Sequence, residues 1–253
     1  MAPLLPLLLA LPIVVLLVGE PHRSPSGRAQ GTFRGLPLTF EANRAQTDSR
    51  VRFLARGIGH TLFLTPSEAV LVLTKPETKL VLRMRFPGAN PRPRIAGLDD
   101  LPGKVNYFVG RDSAHWQTNV PLYGTVQYTE LYPGIDLRYS GDQRQVVCEF
   151  VVRPGADPGQ VSFVWEGVDS LELDAPGNLL LHTAAGVIRQ PKPHLYQDLA
   201  RARRELAGRY VRHAARQVGF DAGDYDADRP LVITSIVPLY LSSETSRSTT
   251  SVR

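Results

Sequence analysis

Three aspartates near the end of the chain have the spacing of calcium-loop ligands. Asp224, Asp226 and Asp228 alternate with other residues, as the first carboxylates of an EF-hand loop do. That loop also requires glycine at its sixth position and glutamate at its twelfth. Counting from Asp224, these positions hold Arg229 and Ser235. The segment is therefore interpreted as a solvated turn before the last strand, and nothing in the sequence supports another kind of calcium site.

The most basic stretch of the chain could contact a polyanion. Its arginines are Arg201, Arg203, Arg204, Arg209, Arg212 and Arg216. Nucleic-acid-binding surfaces normally interleave aromatic side chains for stacking or carry a recognisable motif, and this stretch has a single aromatic residue, Tyr210. We therefore predict no nucleic-acid partner and interpret the stretch as a hairpin with a solvated cationic face. Contact with an anionic cell-surface polymer is a minor alternative.

Paired carboxylates could hydrolyse a glycosidic bond, since such enzymes use one as acid and the other as nucleophile or base. The candidates are Asp136, Glu149, Glu166, Asp169, Glu172 and Asp174. They lie on expected strands and turns, where a soluble sheet needs acidic residues in any case, and nothing singles out a pair. The chain has no G-x-S-x-G or H-E-x-x-H motif, and its six histidines lack ligand spacing. We predict no catalytic, cofactor-binding or metal-binding residue, no cofactor, and no enzymatic activity.

The elements that would position any site are strands, and Leu131–Val152 is the clearest case. Apolar residues alternate with others on both sides of a Gly141–Asp142 turn, at Ile135, Leu137, Tyr139, Val146, Cys148, Phe150 and Val152. A period of two places each apolar set on one face of a sheet. The second strand is apolar on both faces, so we predict that it lies near the middle of a packed sheet.

The same parity assigns several notable side chains to the core. Cys148 shares its strand face with Val146 and Phe150, and Trp165 and Tyr128 also have core parity. Tyr139 belongs to this group as well. A sugar-binding aromatic platform would require these rings to be exposed, so the interior is the predicted place for all of them.

The whole chain reads as a succession of short strands. Gly 21 and Pro 21 in 253 residues imply frequent turns, and 43% hydrophobic with 21% charged residues is typical of a globular protein. Lys79–Phe86 is a clear strand, and Lys104–Val109 and Thr125–Thr129 are further strands. Pro87–Pro102 is predicted to be a loop in which Arg94–Ala96 can be briefly extended. We predict an all-β chain folded as an antiparallel β-sandwich, or as two sandwich-like halves in tandem.

The first residues differ from the rest. Ala2–Gly19 is almost wholly apolar and suits a signal peptide or a retained N-terminal anchor. Its prolines weaken a spanning helix, so export to the cell surface or medium is favoured, with membrane contact only through this segment. Residues 1–30 are assigned to this segment and a linker, and 31–235 to the β-sandwich domain with a subdivision near 110–120 as an alternative. Residues 236–253 are predicted to be a disordered or frame-shifted tail.

Several motifs, in order along the chain, carry a family resemblance. They are Leu38–Arg44, Asn106–Gly110, Trp116 with Thr118–Val120, Tyr132–Leu137, Phe150–Pro158, and Gly219–Phe220 followed by Tyr225–Asp226. Over residues 36–233 the chain resembles the uncharacterised β-rich N-terminal domain of secreted bacterial proteins that carry SBBP-type β-propeller repeats. The resemblance implies an exported or cell-surface protein without established catalytic residues. It also implies glycine where this chain has Ala45, and propeller repeats where this chain has a Ser/Thr-rich end.

The function expected from these features is structural, adhesive or recognition-related. We predict an exported, non-enzymatic β-rich module whose partner is a cell-surface or extracellular polymer or protein. A carbohydrate-binding or glycan-processing domain is the alternative, and an exposed row of aromatics beside two facing carboxylates would favour it. A gene fragment without an independent role is a third possibility.

Overall fold

Eighteen β-strands and one short 3-10 helix form in the computed structural model, which describes residues 36–113, 116–199 and 202–240. Those ranges contain no α-helix, and none of their elements is a helix long and apolar enough to cross a membrane. The all-β prediction is therefore confirmed. The predicted signal peptide or anchor, and residues 241–253 of the predicted tail, lie outside the described residues.

The strands follow one another with short connections. They are β1 (Phe40–Ala42), β2 (Phe53–Gly57), β3 (His60–Leu64), β4 (Glu68–Lys75), β5 (Thr78–Arg85), β6 (Arg94–Tyr107), β7 (Gln117–Tyr132), β8 (Ile135–Asp142), β9 (Gln145–Val152), β10 (Ser162–Glu166), β11 (Ser170–Leu173), β12 (Leu179–Thr183), β13 (Gly186–Gln190), β14 (His194–Asp198), β15 (Arg203–Leu206), β16 (Arg209–Ala214), β17 (Gln217–Asp221) and β18 (Leu231–Pro238). The 3-10 helix, Pro158–Gln160, precedes β10 and is capped by the Asp157 side chain.

Fifteen of the strands form one continuous antiparallel sheet. Fourteen of them follow the order β15-β14-β18-β9-β8-β7-β1-β2-β3-β4-β5-β10-β17-β16, and β6 pairs with β7 beside this path. The strands β11, β12 and β13 form a separate three-stranded sheet. One core cluster contains residues from Leu38 to Leu239, so strands from both halves of the chain bury their apolar sides together.

The central hairpin is confirmed, with one correction. Strands β8 and β9 pair along their whole length, and β9 has β18 on its other side, so it is an interior strand. The turn lies at Gln143–Arg144, two residues beyond the predicted Gly141–Asp142, because Asp142 is still paired with Gln145. Asp142 stabilises this turn by accepting hydrogen bonds from the backbone N–H groups of Arg144 and Gln145.

The side chains assigned to the core by parity are buried there. Tyr128, Tyr139, Cys148 and Trp165 are each no more than 2% exposed. Burying a large apolar side chain contributes about 1.5–3 kcal/mol to folding. The alternation in the sequence therefore predicts correctly which face of these strands packs in the core.

The largest difference from prediction is a long two-stranded arm, here called the ribbon, formed by β6 and β7. A proline-rich loop was expected over Pro87–Pro102, yet β6 runs for 14 residues and pairs with β7 almost throughout. The register shifts between Leu101 and Lys104, so Pro102 and Gly103 are accommodated as an irregularity. A bulge tolerates a residue without a backbone N–H, which is why this proline does not end the strand.

The C-terminal boundary also differs. Strand β18 continues to Pro238, beyond residue 235 where the domain was expected to end, because Ile236 and Val237 still pair with Val147 and Val146 of β9. The basic stretch is not one hairpin. Within the described residues, β15 pairs with β14 and β16 pairs with β17, at opposite ends of the sheet path.

Candidate functional site

A cleft opens on the outer face of the sheet, beside the far end of the ribbon. Glu41 of β1 and Leu122 of β7 are paired in register, and both line it. The preceding pair, Phe40 and Tyr123, packs in or against the main core. Since successive strand residues point to opposite faces, the cleft lies on the side of β1 and β7 turned away from the core.

The walls of this ribbon cleft come from distant parts of the chain. Leu36 lies where the described chain begins, Gly57 and Ile58 lie at the β2–β3 turn, and Gln143 lies at the β8–β9 turn. The end of β6 and the residue after it, 104–108, form the remaining wall. The cleft has a volume of about 770 Å³, within the range of small-molecule sites.

The floor of the cleft contains a buried carboxylate that is hydrogen-bonded to a phenol hydroxyl. Glu41 is 7% exposed and accepts a hydrogen bond from the Tyr107 hydroxyl. Burial raises the pKa of Glu41, while the Tyr107 hydrogen bond and the charge of Arg56 oppose that rise. Burial and the neighbouring Glu41 both raise the pKa of Tyr107. The pair is therefore a fixed acceptor and donor at the base of the cleft rather than a solvated surface pair.

Arg56 covers the same phenol. Its guanidinium carbon lies 5.3 Å from the centre of the Tyr107 ring, within the range of a cation–π contact. The Arg56 Nε atom is buried and has no hydrogen-bond partner among the described residues. The floor thus places a guanidinium beside a carboxylate, with part of the donor capacity of the guanidinium unused.

The mouth of the cleft is apolar. Leu36 and Ile58 are exposed large side chains, with Ile58 fully in solvent, and Phe108 is half-exposed. The Phe108 ring meets the Trp116 ring edge to face at a centroid distance of 5.0 Å, and the Trp116 indole N–H donates to the Gly110 carbonyl. Exposed apolar side chains gathered around a concave site are typical of a ligand-binding surface.

A histidine lies directly behind one wall. A Cβ atom on Gly57 would come within 2.1 Å of His60 Cε1 and 2.2 Å of Gln143 Oε1, so a larger residue there would require these side chains to move. His60 is buried, and burial lowers its pKa against a smaller opposing effect of the Ile58 backbone. The His60 ring lies beside Gly57 and is not among the residues that line the cleft.

A second, smaller depression carries charges that are already satisfied. It has a volume of about 420 Å³ and lies beside β2 and β4. Arg50 pairs with Asp48 at 2.8 Å, and Arg83 pairs with Glu68 at 2.7 Å. The Arg50 hydrogen bonds lower the pKa of Asp48 to about 2. Since these charges neutralise one another, the ribbon cleft is the better candidate site.

The carboxylates considered for glycoside hydrolysis are not brought together at the cleft. Several are held by neighbouring cations: Asp136 by Arg153 at 3.0 Å, Glu166 by Arg85 at 3.0 Å and Asp174 by Arg189 at 2.6 Å. Glu172 contacts His182 at 3.1 Å. Among the described residues that line the ribbon cleft, Glu41 is the sole carboxylate. The sequence alone does not single out Glu41, since alternation gives its outward parity but not the ribbon that packs against it.

The other motifs have local roles. Asp226 accepts a hydrogen bond from the Asp228 backbone and pairs with Arg229 at 3.0 Å, as in a self-contained turn. The part of the chain that the structure describes contains no cluster of three or more potential metal ligands. In the basic stretch, Arg203 lies 3.6 Å from the Tyr196 ring centre, and Arg209 pairs with Asp221.

Comparison with known proteins yields one match. No curated protein and no solved structure matches the chain. One family model, described as a domain of unknown function (DUF7948), matches residues 40–234. That match includes β1 to most of β18 and all the strands beneath the ribbon cleft, and it covers well over half of the sequence. The chain belongs to the DUF7948 family, an uncharacterised domain family.

Proposed function

We propose that this chain is an exported, non-catalytic recognition module that binds an extracellular ligand in the ribbon cleft. The observation that carries the proposal is the combination, in one concave site, of an apolar mouth and a buried polar floor. Leu36, Ile58 and Phe108 supply apolar area that a ligand would remove from water. Glu41 and Arg56 supply the few fixed polar groups that orient a ligand.

A binding role is favoured over catalysis by what the cleft offers. Glycoside hydrolysis needs two carboxylates on either side of the bond, and among the described lining residues Glu41 is alone. His60, a potential base, lies behind the wall formed by Gly57. The side chains that do face the cleft can form hydrogen bonds and apolar contacts, which are sufficient for recognition.

The extracellular part of the proposal rests on other features. Ala2–Gly19 has the apolar character of an export signal, and the resemblance to propeller-repeat proteins suggests a role at or beyond the cell surface. In related proteins of that kind, the module would hold a ligand beside the repeats. The expected partner is therefore a cell-surface or extracellular polymer or protein.

The test is depletion of the full chain from solution by washed bacterial cell envelopes. We expect the wild-type protein to sediment with the envelopes, and Ile58→Asp and Phe108→Asp to remain in the supernatant. Both substitutions place a charge at exposed positions of the mouth, so folding should be unaffected. Leu98→Asp is the matched control, since Leu98 is exposed on β6 but does not line the cleft.

Two results would contradict the proposal. The first is an absence of sedimentation, or equal sedimentation of the cleft variants and the wild type. The second is release of soluble sugar or peptide from the envelopes that Glu41→Gln abolishes, because that would indicate catalysis at the cleft.

A further inference from the structure

We infer that the ligand of the ribbon cleft is a saccharide, an inference that rests on the proposed recognition role. Its hydroxyl groups would hydrogen-bond to Glu41 and Arg56 on the floor, and its C–H face would pack against Phe108 at the mouth. Three features of the described residues support this class of ligand over an acyl chain or an extended peptide. They are the polarity of the floor, the pairing of the strands beneath it, and the aromatic mouth.

The floor presents an acceptor and a donor side by side. Glu41 accepts from Tyr107, and Arg56 is close enough for its charge to lower the pKa of that carboxyl. The two make no direct ion pair within the described part of the chain, so neither group satisfies the other. A hydroxyl group can both donate to a carboxylate and accept from a guanidinium. Adjacent hydroxyls on one sugar ring could therefore satisfy both groups at once.

An acyl chain fits this floor poorly. Glu41, Arg56, Asn106 and Gln143 all line the cleft, and a hydrocarbon would cover them without forming hydrogen bonds. Leaving these polar groups buried and unpaired is unfavourable, because they lose their hydrogen bonds to water. A ligand with many hydroxyls avoids that cost because it replaces the water that these side chains lose.

An extended peptide could not add a strand at the floor of the cleft. Peptides commonly bind a sheet by adding a strand to a free edge. Here β1 is paired with β2 on one side and β7 on the other, and β7 is paired with β6 and with β8 and β1. The backbone groups of β1 and β7 on the floor are thus already used, so recognition at the floor depends on side chains. Among the described strands, the outer edge of β6, which pairs only with β7, is the one place where a peptide strand could be added beside the cleft.

The mouth offers the apolar contact that sugars use. Phe108 lines the cleft, and Trp116 supports it in an edge-to-face arrangement. The edge-to-face contact with Trp116 keeps the Phe108 ring in a defined orientation at the mouth. Ile58, on the opposite hairpin turn, adds a second apolar surface. The arrangement suits a flat ligand with an apolar face and a polar rim.

The first experiment pretreats the cell envelopes before sedimentation with the full chain. Periodate cleaves vicinal diols of sugars, protease removes polypeptide, and organic solvent extracts lipid. We expect periodate to abolish binding that depends on Phe108, and protease and solvent to leave it intact. Binding that survives periodate but is lost after protease or solvent would overturn the saccharide inference, while the recognition role would stand.

The second experiment titrates the full chain by calorimetry with a panel of soluble cello-, chito-, xylo- and manno-oligosaccharides. At least one is expected to bind, and Phe108→Ala should weaken that binding about tenfold. Glu41→Gln should also weaken it, while Leu98→Ala, on β6 but outside the cleft, should not. Envelope binding that requires the cleft but is competed by no member of the panel would overturn the inference. Absence of any cleft-dependent envelope binding would instead overturn the recognition role itself.

Discussion

Tyr107, the last residue of β6, donates its hydroxyl hydrogen to Glu41 of β1, a residue 66 positions earlier in the chain. This contact fastens the far end of the ribbon to the face of the main sheet. It also explains how a glutamate with outward parity becomes buried, since the ribbon brings Tyr107 against it. The ribbon cleft exists because a long-range contact closes its floor.

Removing the donor should destabilise the fold. Tyr107→Phe leaves the Glu41 carboxyl buried without its partner, so we expect the free energy of unfolding to fall by about 1–3 kcal/mol. Urea denaturation at neutral pH would measure the change. Tyr240→Phe is the matched control, because Tyr240 is half-exposed and, within the part of the chain that the structure describes, contacts Arg144 only through a cation–π interaction. Equal losses in the two variants would show that the Glu41 hydrogen bond does not stabilise the protein.

His60 should make stability fall in mildly acidic solution. Burial lowers its pKa below the ordinary 6.5, so the unfolded chain binds a proton more readily than the folded one. Stability from this group is complete above pH 6.5 and decreases as the pH falls towards the lowered pKa. His60→Leu should flatten that part of a plot of unfolding free energy against pH. An unchanged slope in the variant would contradict the assignment.

Glu41 should make the free energy of unfolding change with pH in the opposite direction to His60. Its pKa is raised from 4.5, so the folded chain holds this proton more tightly than the unfolded one. The stabilising effect is complete below pH 4.5 and is lost as the pH rises through the raised pKa. Glu41→Gln should remove that dependence while His60→Leu leaves it. The same denaturation series, with both variants, separates the two groups.

Ala45 occupies a backbone conformation that favours glycine. Its φ is 74°, and a residue with a Cβ in this left-handed region costs about 1–2 kcal/mol. Ala45→Gly removes that strain but adds flexibility to the unfolded chain, so we expect a net gain of up to about 1 kcal/mol. Ala42→Gly, in β1 where φ is negative, should instead lose about 0.5–1 kcal/mol. Denaturation of both variants would check the contrast, and destabilisation by Ala45→Gly would contradict it.

The sequence predicts the burial of a residue where that burial depends only on its position within its own strand. Alternation alone identifies the β8–β9 hairpin and the buried places of Tyr128, Tyr139 and Trp165, since parity decides which face a side chain takes. The positive φ of Ala45 is also consistent with the sequence, because the resemblance to propeller-repeat proteins implies glycine at this position.

The site depends on relationships that local patterns do not contain. Pro102 within PGANPRPRIAGLDDLP reads as a loop signal, yet a register shift lets β6 pass through it. Without that strand, nothing brings Tyr107 to Glu41 or Phe108 beside Ile58. Glu41 has the parity of a solvated residue, and its burial follows from a contact across 66 positions. The alternation of apolar residues therefore predicts the sheet, but it does not predict the ribbon that forms a cleft on the outer face of the sheet.

Two tyrosines in the core offer a matched comparison. The rings of Tyr128 and Tyr139 lie 5.6 Å apart, and both side chains are buried. The Tyr128 hydroxyl donates to the Thr65 carbonyl at 2.8 Å, whereas the Tyr139 hydroxyl has no partner among the described residues. Burying an unpaired hydroxyl is unfavourable, and burying a paired one is not.

Phenylalanine substitution should therefore affect the two positions differently. Tyr128→Phe should lower the free energy of unfolding by about 1–1.5 kcal/mol, because it leaves the Thr65 carbonyl without this donor. Tyr139→Phe removes an unsatisfied group and should be neutral or stabilising. The chemical change is the same in both variants, and each retains the ring that fills the core, so packing largely cancels in the comparison. Equal destabilisation would show that the Tyr139 hydroxyl has a hydrogen-bond partner in solution. A crystal structure would then be searched for a water molecule between this hydroxyl and Trp165 Nε1, which is also buried and has no partner among the described residues.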